Sequence, residues 1–253
     1  MYLLLDLDNT ILPSKEAYAK AINGLSIDWE QRGLGSQADF LSKYEVARNL
    51  VKTQLGNHSS NRLRLLCFKN MLDSEYFGIT GKQIELLLWL EERYFYHFTE
   101  SLRISRETEP RWKELFSVLS ELFEAKQVCV LTNENLRTQL FKIKAFFPEE
   151  LKWNLLTSEE IGIEKPHPDY FAYALKRVAK KSNECMMIGD NRKDDVDGAN
   201  AMDIAGIHLT AIFGSQRQLI ELPEMNRLGV GHKSIVNLET DNILTAIDYV
   251  RNK

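Results

Sequence analysis

Basic excess, paired cysteines and long apolar runs are all missing from this chain of 253 residues. Each absence closes off a class of function. Lys and Arg together number 32 against 36 Asp and Glu, for a formal net charge of -4 and a pI near 5.8. That balance leaves no electrostatic footprint for nucleic acid. No apolar run approaches the roughly 20 residues of a membrane-spanning helix, so no membrane association is expected. Cys67, Cys129 and Cys185 are odd in number and contain no CxxC pair, which argues against a disulfide framework or a zinc site. Cys129 and Cys185 lie in apolar runs and read as small core residues. The N-terminal residues lack a basic segment, and their apolar run leads into acids rather than a cleavage site, so no secretory leader is expected. Asn57-His58-Ser59 has the form of a glycosylation sequon, which in that setting is a coincidence. A reduced, cytoplasmic location follows as the expectation. Internal repeats and low-complexity segments are missing too.

What is present suits a folded globular protein. A hydrophobic fraction of 44% supports a sizeable core, and the length fits one large domain or two smaller ones. From Val128 onward the chain alternates strand and helix. Val128–Leu131, Trp153–Leu156, Cys185–Ile188 and Ile207–Ile212 read as strands. Asn135–Phe146, Asp169–Lys180 and Asp195–Met202 read as helices. Such alternation predicts βαβ units and a parallel sheet covered by helices. Ser14 to about Leu102 differs: it shows helical periodicity, as in Phe40-Leu41-x-x-Tyr44-x-x-Ala47, and no βαβ signal. It reads as an insertion of about four helices, with linkers at Leu12–Lys15 and Arg103–Pro110 that form a natural hinge.

The chemistry begins where the first apolar segment, Met1–Leu5, runs into Asp6-Leu7-Asp8-Asn9-Thr10. In an extended segment alternate residues share a face, so Asp6, Asp8 and Thr10 are expected to converge at a strand end. Clustered carboxylates repel unless a cation or a proton joins them. Three more signals follow the same rule of place. Leu131-Thr132-Asn133 closes the Val128 strand. Glu164-Lys165-Pro166 precedes the Asp169 helix. Gly189-Asp190, followed by Asp194-Asp195, closes the Cys185 strand. Ligands of parallel α/β sheets bind outside the carboxyl ends of the strands.

These four motifs, in this order, resemble those of the haloacid dehalogenase (HAD) superfamily of phosphohydrolases, and the likeness spans nearly the whole chain. The run Thr157–Pro166 is also similar to its cap-bearing phosphatase branch. The resemblance implies a HAD-like Rossmannoid α/β core over 1–12 and 109–253, with an all-helical type 1 cap over 13–108. It implies a Mg²⁺-dependent phosphatase that acts on a small phosphorylated metabolite through an aspartyl-phosphate. In that scheme Asp6 is the nucleophile and Asp8 the general acid and base. Thr132 and the amide of Asn133 hold the phosphate, and Lys165 offsets charge. Mg²⁺ is held by Asp6, Asp190 and the backbone carbonyl of Asp8. Asp195 supports the metal, with Asp194 as the alternative. The protein is expected to be a monomer or a homodimer.

Competing readings remain within the same residues. A phosphomutase of the β-phosphoglucomutase type shares all four motifs, and a catalytically silent binding protein would share the fold. Dehalogenation is disfavoured because the family's dehalogenases lack the second acid, here Asp8. Phosphonate cleavage would need a cap lysine, and nothing marks Lys52 or Lys69. Thr132 also reads as a helix N-cap, and Asp197 as a solvated first-turn acid. His167 reads as an exposed loop residue, and Thr80 as the cap of the helix that follows it. Tyr94–Phe98, with His97, reads as packing inside the insertion. His58, Arg62, Arg64 and Lys69 form a basic stretch that either faces solvent or meets remote groups of a substrate.

Overall fold

The computed structural model describes residues 1–56, 58, 62–72, 80–223, 227–228 and 234–253. Asn57 and Ser59 of the sequon lie outside the described residues. The chain divides into two compact units, Met1–Pro13 with Glu109–Lys253, and Ser14–Thr108.

The first unit is built on a seven-stranded sheet. β1 (Tyr2–Leu5) is apolar at every position and fully buried, as befits a strand covered on both faces. It lies between β2 (Val128–Thr132) and β4 (Cys185–Gly189) and is parallel to both; Leu4 sits opposite Cys129 and Met187. β3 (Leu155–Thr157) extends the sheet beyond β2. β5 (Ala205–Leu209), β9 (Leu238–Thr240) and β6 (Ile220–Glu221) extend it beyond β4, for an order of β3-β2-β1-β4-β5-β9-β6. Among the described residues of this sheet, every pairing is parallel except β6 with β9. β7 (Arg227–Leu228) and β8 (Ser234–Ile235) form a separate ribbon.

Helices flank the sheet: α5 (Arg111–Glu124), α6 (Leu136–Phe146), α7 (Ser158–Ile161), α8 (Pro168–Val178), α9 (Gly198–Asn200) and α10 (Ile243–Arg251). Tyr170, Phe171 and Ala174 of α8 pack with Leu4, Cys129, Leu156 and Met187 in one buried cluster. Cys129 and Cys185 are core residues as expected, and all three cysteines are free.

Among the described residues, the second unit forms four α-helices: α1 (Ser14–Gln31), α2 (Gln37–Leu55), α3 (Arg64–Leu72) and α4 (Gly81–Thr108). A chain of rings from Trp29 through Phe40, Tyr44, Phe68 and Tyr94 to Phe98 supplies much of its core. Tyr94 and Phe98 are buried, so that part of the aromatic run is packing, whereas Tyr96 is exposed. Asp28 of α1 accepts hydrogen bonds from Arg93 (2.6 Å) and pairs with His97 (2.7 Å), both on α4. Gly24 makes room for that imidazole, since a Cβ there would lie 2.6 Å from His97 Nδ1. The guanidinium of Arg64 stacks over Tyr18. Thr80 caps α4, its hydroxyl accepting from the Gln83 N–H. No helix among the described residues is long and apolar enough to cross a membrane.

Several boundaries differ from the sequence reading. Arg103–Thr108 is not a linker. α4 runs through it, carried by Arg103, which pairs with Glu100 and Glu107 one turn to either side. β3 starts at Leu155 rather than Trp153, whose ring instead packs on Phe123 and Phe147. The helix placed at Asp195–Met202 begins earlier, as a π-helical turn over Arg192–Asp197 that leads into α9.

Candidate active site

Asp6 follows β1 directly, and the chain then turns rather than extending. The Leu7 carbonyl accepts from the N–H groups of Thr10, Ile11 and Leu12, and Asn9 holds a φ of 59°. Asn tolerates that left-handed conformation better than most residues. The turn corrects the expectation of one extended face: Asp6 and Thr10 do meet, but through a bend, and Asp8 is aimed elsewhere. The buried Thr10 hydroxyl donates to Asp6 Oδ2 (3.0 Å) and accepts from the Asp190 N–H (3.1 Å). One side chain thereby ties the loop after β1 to the loop after β4.

Lys165 is buried beneath these acids. Its ammonium donates to Asp6 Oδ1 (2.7 Å), Asp195 Oδ1 (2.6 Å) and the Leu131 carbonyl (2.9 Å). Three acceptors use all three of its protons. Asp195 is buried because Gly189 leaves space for it: a Cβ on Gly189 would stand 2.1 Å from Asp195 Oδ2. That oxygen also accepts from the Asn191 N–H. Of the adjacent acids, Asp195 is the one at the cluster. Asp194 instead pairs with Asn191, which caps the π-helical turn, and Asp197 is solvent-exposed.

Asp6, Asp190 and Asp195 bring one carboxylate oxygen each to within 4.8 Å of one another. With Lys165 beside them, three carboxylates and one ammonium leave two net negative charges when ionised. Burial pushes the Asp6 carboxyl well up; Lys165 opposes the shift, and the charges of Asp195 and Asp190 add to it. Asp190 is pushed up to about 6, first by burial and then by Asp195. Lys165 shifts upward because its carboxylate neighbours outweigh its burial. An all-oxygen donor set with this charge fits a hard divalent cation such as Mg²⁺.

Asp8 occupies the other side of the site. Lys142 of α6, fully buried, donates to Asp8 Oδ1 (2.7 Å) and Oδ2 (2.9 Å) and lies 3.8 Å from Glu134. The amide nitrogen of Gln139 donates to Asp8 Oδ2 (2.8 Å) and to Thr132 Oγ1 (2.5 Å). Neither residue stands out by motif. The available signal is reversed amphipathicity: Leu136, Leu140 and Phe141 face solvent, while Gln139 and Lys142 face inward. Thr132 closes β2, and its N–H donates to the Tyr170 hydroxyl. The cap of α6 is Asn135, not Thr132, for Asn135 Oδ1 accepts from the Thr138 N–H. The Asn133 side chain is turned to the backbone of Lys165. It donates to the Lys165 carbonyl and accepts from the Lys165 N–H, both at 2.8 Å, which seats the lysine. His167 caps α8 through Nδ1 and is exposed.

The family model for haloacid dehalogenase-like hydrolases matches residues 2–203. A ribulose-1,5-bisphosphate 5-phosphatase of Halopiger xanaduensis is 29% identical over 79% of this chain and 81% of its own. Human N-acylneuraminate-9-phosphatase is 29% identical over 76% of this chain and 75% of its own. Among solved structures, a 2-haloacid dehalogenase from Pseudomonas syringae pv. Tomato matches with a TM-score of 0.60 at 20% identity, covering 99% of this chain and 97% of that one. A HAD phosphatase from Thermococcus onnurineus matches with 0.56 at 15% identity, over 98% and 97%. At these identities the structures speak for the fold alone.

Proposed function

Because the chain belongs to the haloacid dehalogenase-like hydrolase family and its curated relatives make it a phosphoric monoester hydrolase, we propose that it dephosphorylates a small metabolite with the help of Mg²⁺. The observation that carries this reading is the separation of the two N-terminal acids. Asp6 belongs to a cluster of three carboxylates that fits a divalent cation, while Asp8, two residues on, is served by its own lysine. Two carboxylates in contrasting surroundings are what a double displacement with separate nucleophile and proton carrier requires.

In the first step a carboxylate oxygen of Asp6 attacks phosphorus, the ester P–O bond breaks, and Asp8 gives a proton to the departing oxygen. In the second, water attacks phosphorus, gives its proton to Asp8, and releases inorganic phosphate as the Asp6–phosphorus bond breaks. The Thr132 hydroxyl and the backbone N–H of Asn133 are assigned to the phosphate, since the Asn133 side chain is committed to Lys165. Lys165 keeps Asp6 and Asp195 compatible with burial. Asp6, Asp190 and the Asp8 carbonyl would hold the cation, with Asp195 in support. When bound, Mg²⁺ would offset the remaining charge and allow one anion to approach another.

The helical unit is assigned as the cap that selects the leaving group. The relatives named for ribulose-1,5-bisphosphate and for N-acylneuraminate 9-phosphate make sugar phosphates the first substrates to screen, with nucleoside monophosphates next. Three free cysteines agree with a reduced, cytoplasmic setting. A monomer or homodimer is retained as part of the proposal.

The test is direct. The purified protein should release phosphate from p-nitrophenyl phosphate with Mg²⁺ and lose that activity on chelation. Asp6→Asn should abolish turnover while the protein stays folded. Persistent turnover in that variant would remove Asp6 from its assigned place.

A further inference from the structure

The α6 side chains that meet Asp8 have no place in the scheme so far. We propose that Lys142 and Gln139 are positioning residues for proton transfer, fixing the Asp8 carboxylate relative to the Thr132 hydroxyl. This rests on the proposed phosphatase reading and deepens it.

Burial of Lys142 is the first support. An ammonium shielded from water is costly unless it is paired and hydrogen-bonded. Lys142 is fully buried, and its short contacts reach both oxygens of Asp8, with Glu134 further off. A lysine serving the fold alone could sit anywhere along α6 with its head in solvent. This one turns its head inward, and its shortest ion-pair contact is to a carboxylate that is itself partly open to solvent.

Gln139 supplies the second support. A single amide nitrogen donates to both Asp8 Oδ2 and Thr132 Oγ1. It thereby links the group assigned to the leaving oxygen with the group assigned to the phosphate. Its own Oε1 is buried and has no hydrogen-bond partner among the described residues. Leaving an acceptor unsatisfied is unfavourable, so the amide is held for what its nitrogen does.

Spacing on the helix is the third. Positions 139 and 142 are three apart and therefore on one face of α6. Asn135, which caps α6, fixes where that face begins just after β2. The same turn that ends β2 at Thr132 thus sets the distance from the phosphate-binding hydroxyl to both donors. Asp8 is held at two oxygens by two residues of one rigid element, as a group that must meet a leaving oxygen in one direction would need to be.

The inference separates from a purely structural role by leaving group. Proton donation matters most when the departing oxygen is a poor leaving group and least when it is a phenolate that departs unassisted. Lys142→Met should lower kcat about a hundredfold on an alkyl phosphate such as glycerol phosphate, within the range of general acid–base contributions. The loss on p-nitrophenyl phosphate should be much smaller, and KM should change little on either substrate. In an Asp8→Asn background the same substitution should produce no further loss, because residues that act as a unit are not additive. Gln139→Leu should show the same leaving-group pattern, and stands in if Lys142→Met does not fold. Equal losses on both substrates, unchanged or increased turnover in folded variants, or additivity with Asp8→Asn would overturn the positioning role. Failure of the wild-type protein to hydrolyse any phosphate ester with Mg²⁺ would instead overturn the underlying phosphatase reading.

Discussion

At the scale of single residues, the site depends on space as much as on charge. Gly189 has no catalytic group, yet Asp195 occupies the volume its side chain would need. Gly189→Ala should therefore push Asp195 off Lys165 and the Asn191 N–H. A displacement of about 1 Å near reacting groups can cost on the order of a hundredfold in rate. The expected outcome is a fall in kcat of about that size together with a lower thermal midpoint, because Asp195 and Lys165 lose a buried partner, checked by steady-state kinetics beside calorimetry. The acids themselves were legible in the sequence because each closes a strand or opens a helix, where chemistry-bearing residues stand against an apolar background. Lys142 and Gln139 were not, because a lysine or glutamine within a helix reads as solvent-facing, and only the three-dimensional position of α6 reverses that reading. The division of labour between Asp194 and Asp195 was open for a related reason. Adjacent residues on a helical turn point about 100° apart, and the winding of that turn decides which one faces the site.

Elements fix the site through a few stitches. Tyr170 lies fully buried on α8, and its hydroxyl donates to the Leu156 carbonyl while accepting from the Thr132 N–H. It joins the ends of β2 and β3 to the helix packed on them. Tyr170→Phe should leave the Thr132 N–H buried and unpaired, at a cost of about 1–3 kcal/mol. The urea midpoint should fall with no change in slope, and KM for phosphate esters should rise as the end of β2 loosens. The alternation of strand and helix was readable because β1, β2 and β4 are short apolar runs bounded by polar turns. The sheet's far edge was not. β6 spans only Ile220–Glu221, both exposed, too short to leave a pattern of period two. The π-helical turn at Arg192–Asp197 was likewise hidden, since one extra residue per turn alters no composition.

Taken whole, the molecule carries its acid sensitivity partly in the helical unit. Burial alone would raise the Asp28 carboxyl, but hydrogen bonds from Arg93 and His97 outweigh it and hold the group below its ordinary value. The unfolded chain then takes up this proton before the folded one does. The associated stability is complete above the ordinary carboxylate range near about 4 and drains away as pH falls through the lower folded value. Asp28→Asn should lower the unfolding midpoint at neutral pH and flatten its decline on acidification. A decline of unchanged steepness would show that other carboxylates govern it. The division of the chain into a sheet unit and a helical unit was foreseeable, because one stretch shows period 3.6 where the rest alternates. The run of α4 to Thr108 was not, because charged i,i+4 pairs look the same in a helix and in a polar linker.

The central place of β1 also bears on how the chain comes to exist. Leu3 pairs with Val128 on one side, and with Met186 on the other. At synthesis rates of about 5–20 residues per second, this strand waits many seconds for its neighbours, while the local helices between them form. Contacts so distant along the chain close late. The strand that delivers Asp6 is thus made before its partners and paired after them. Until β4 emerges, the ribosome displays an apolar stretch that other chains can capture, and Asp6 has yet to meet Asp190 and Asp195.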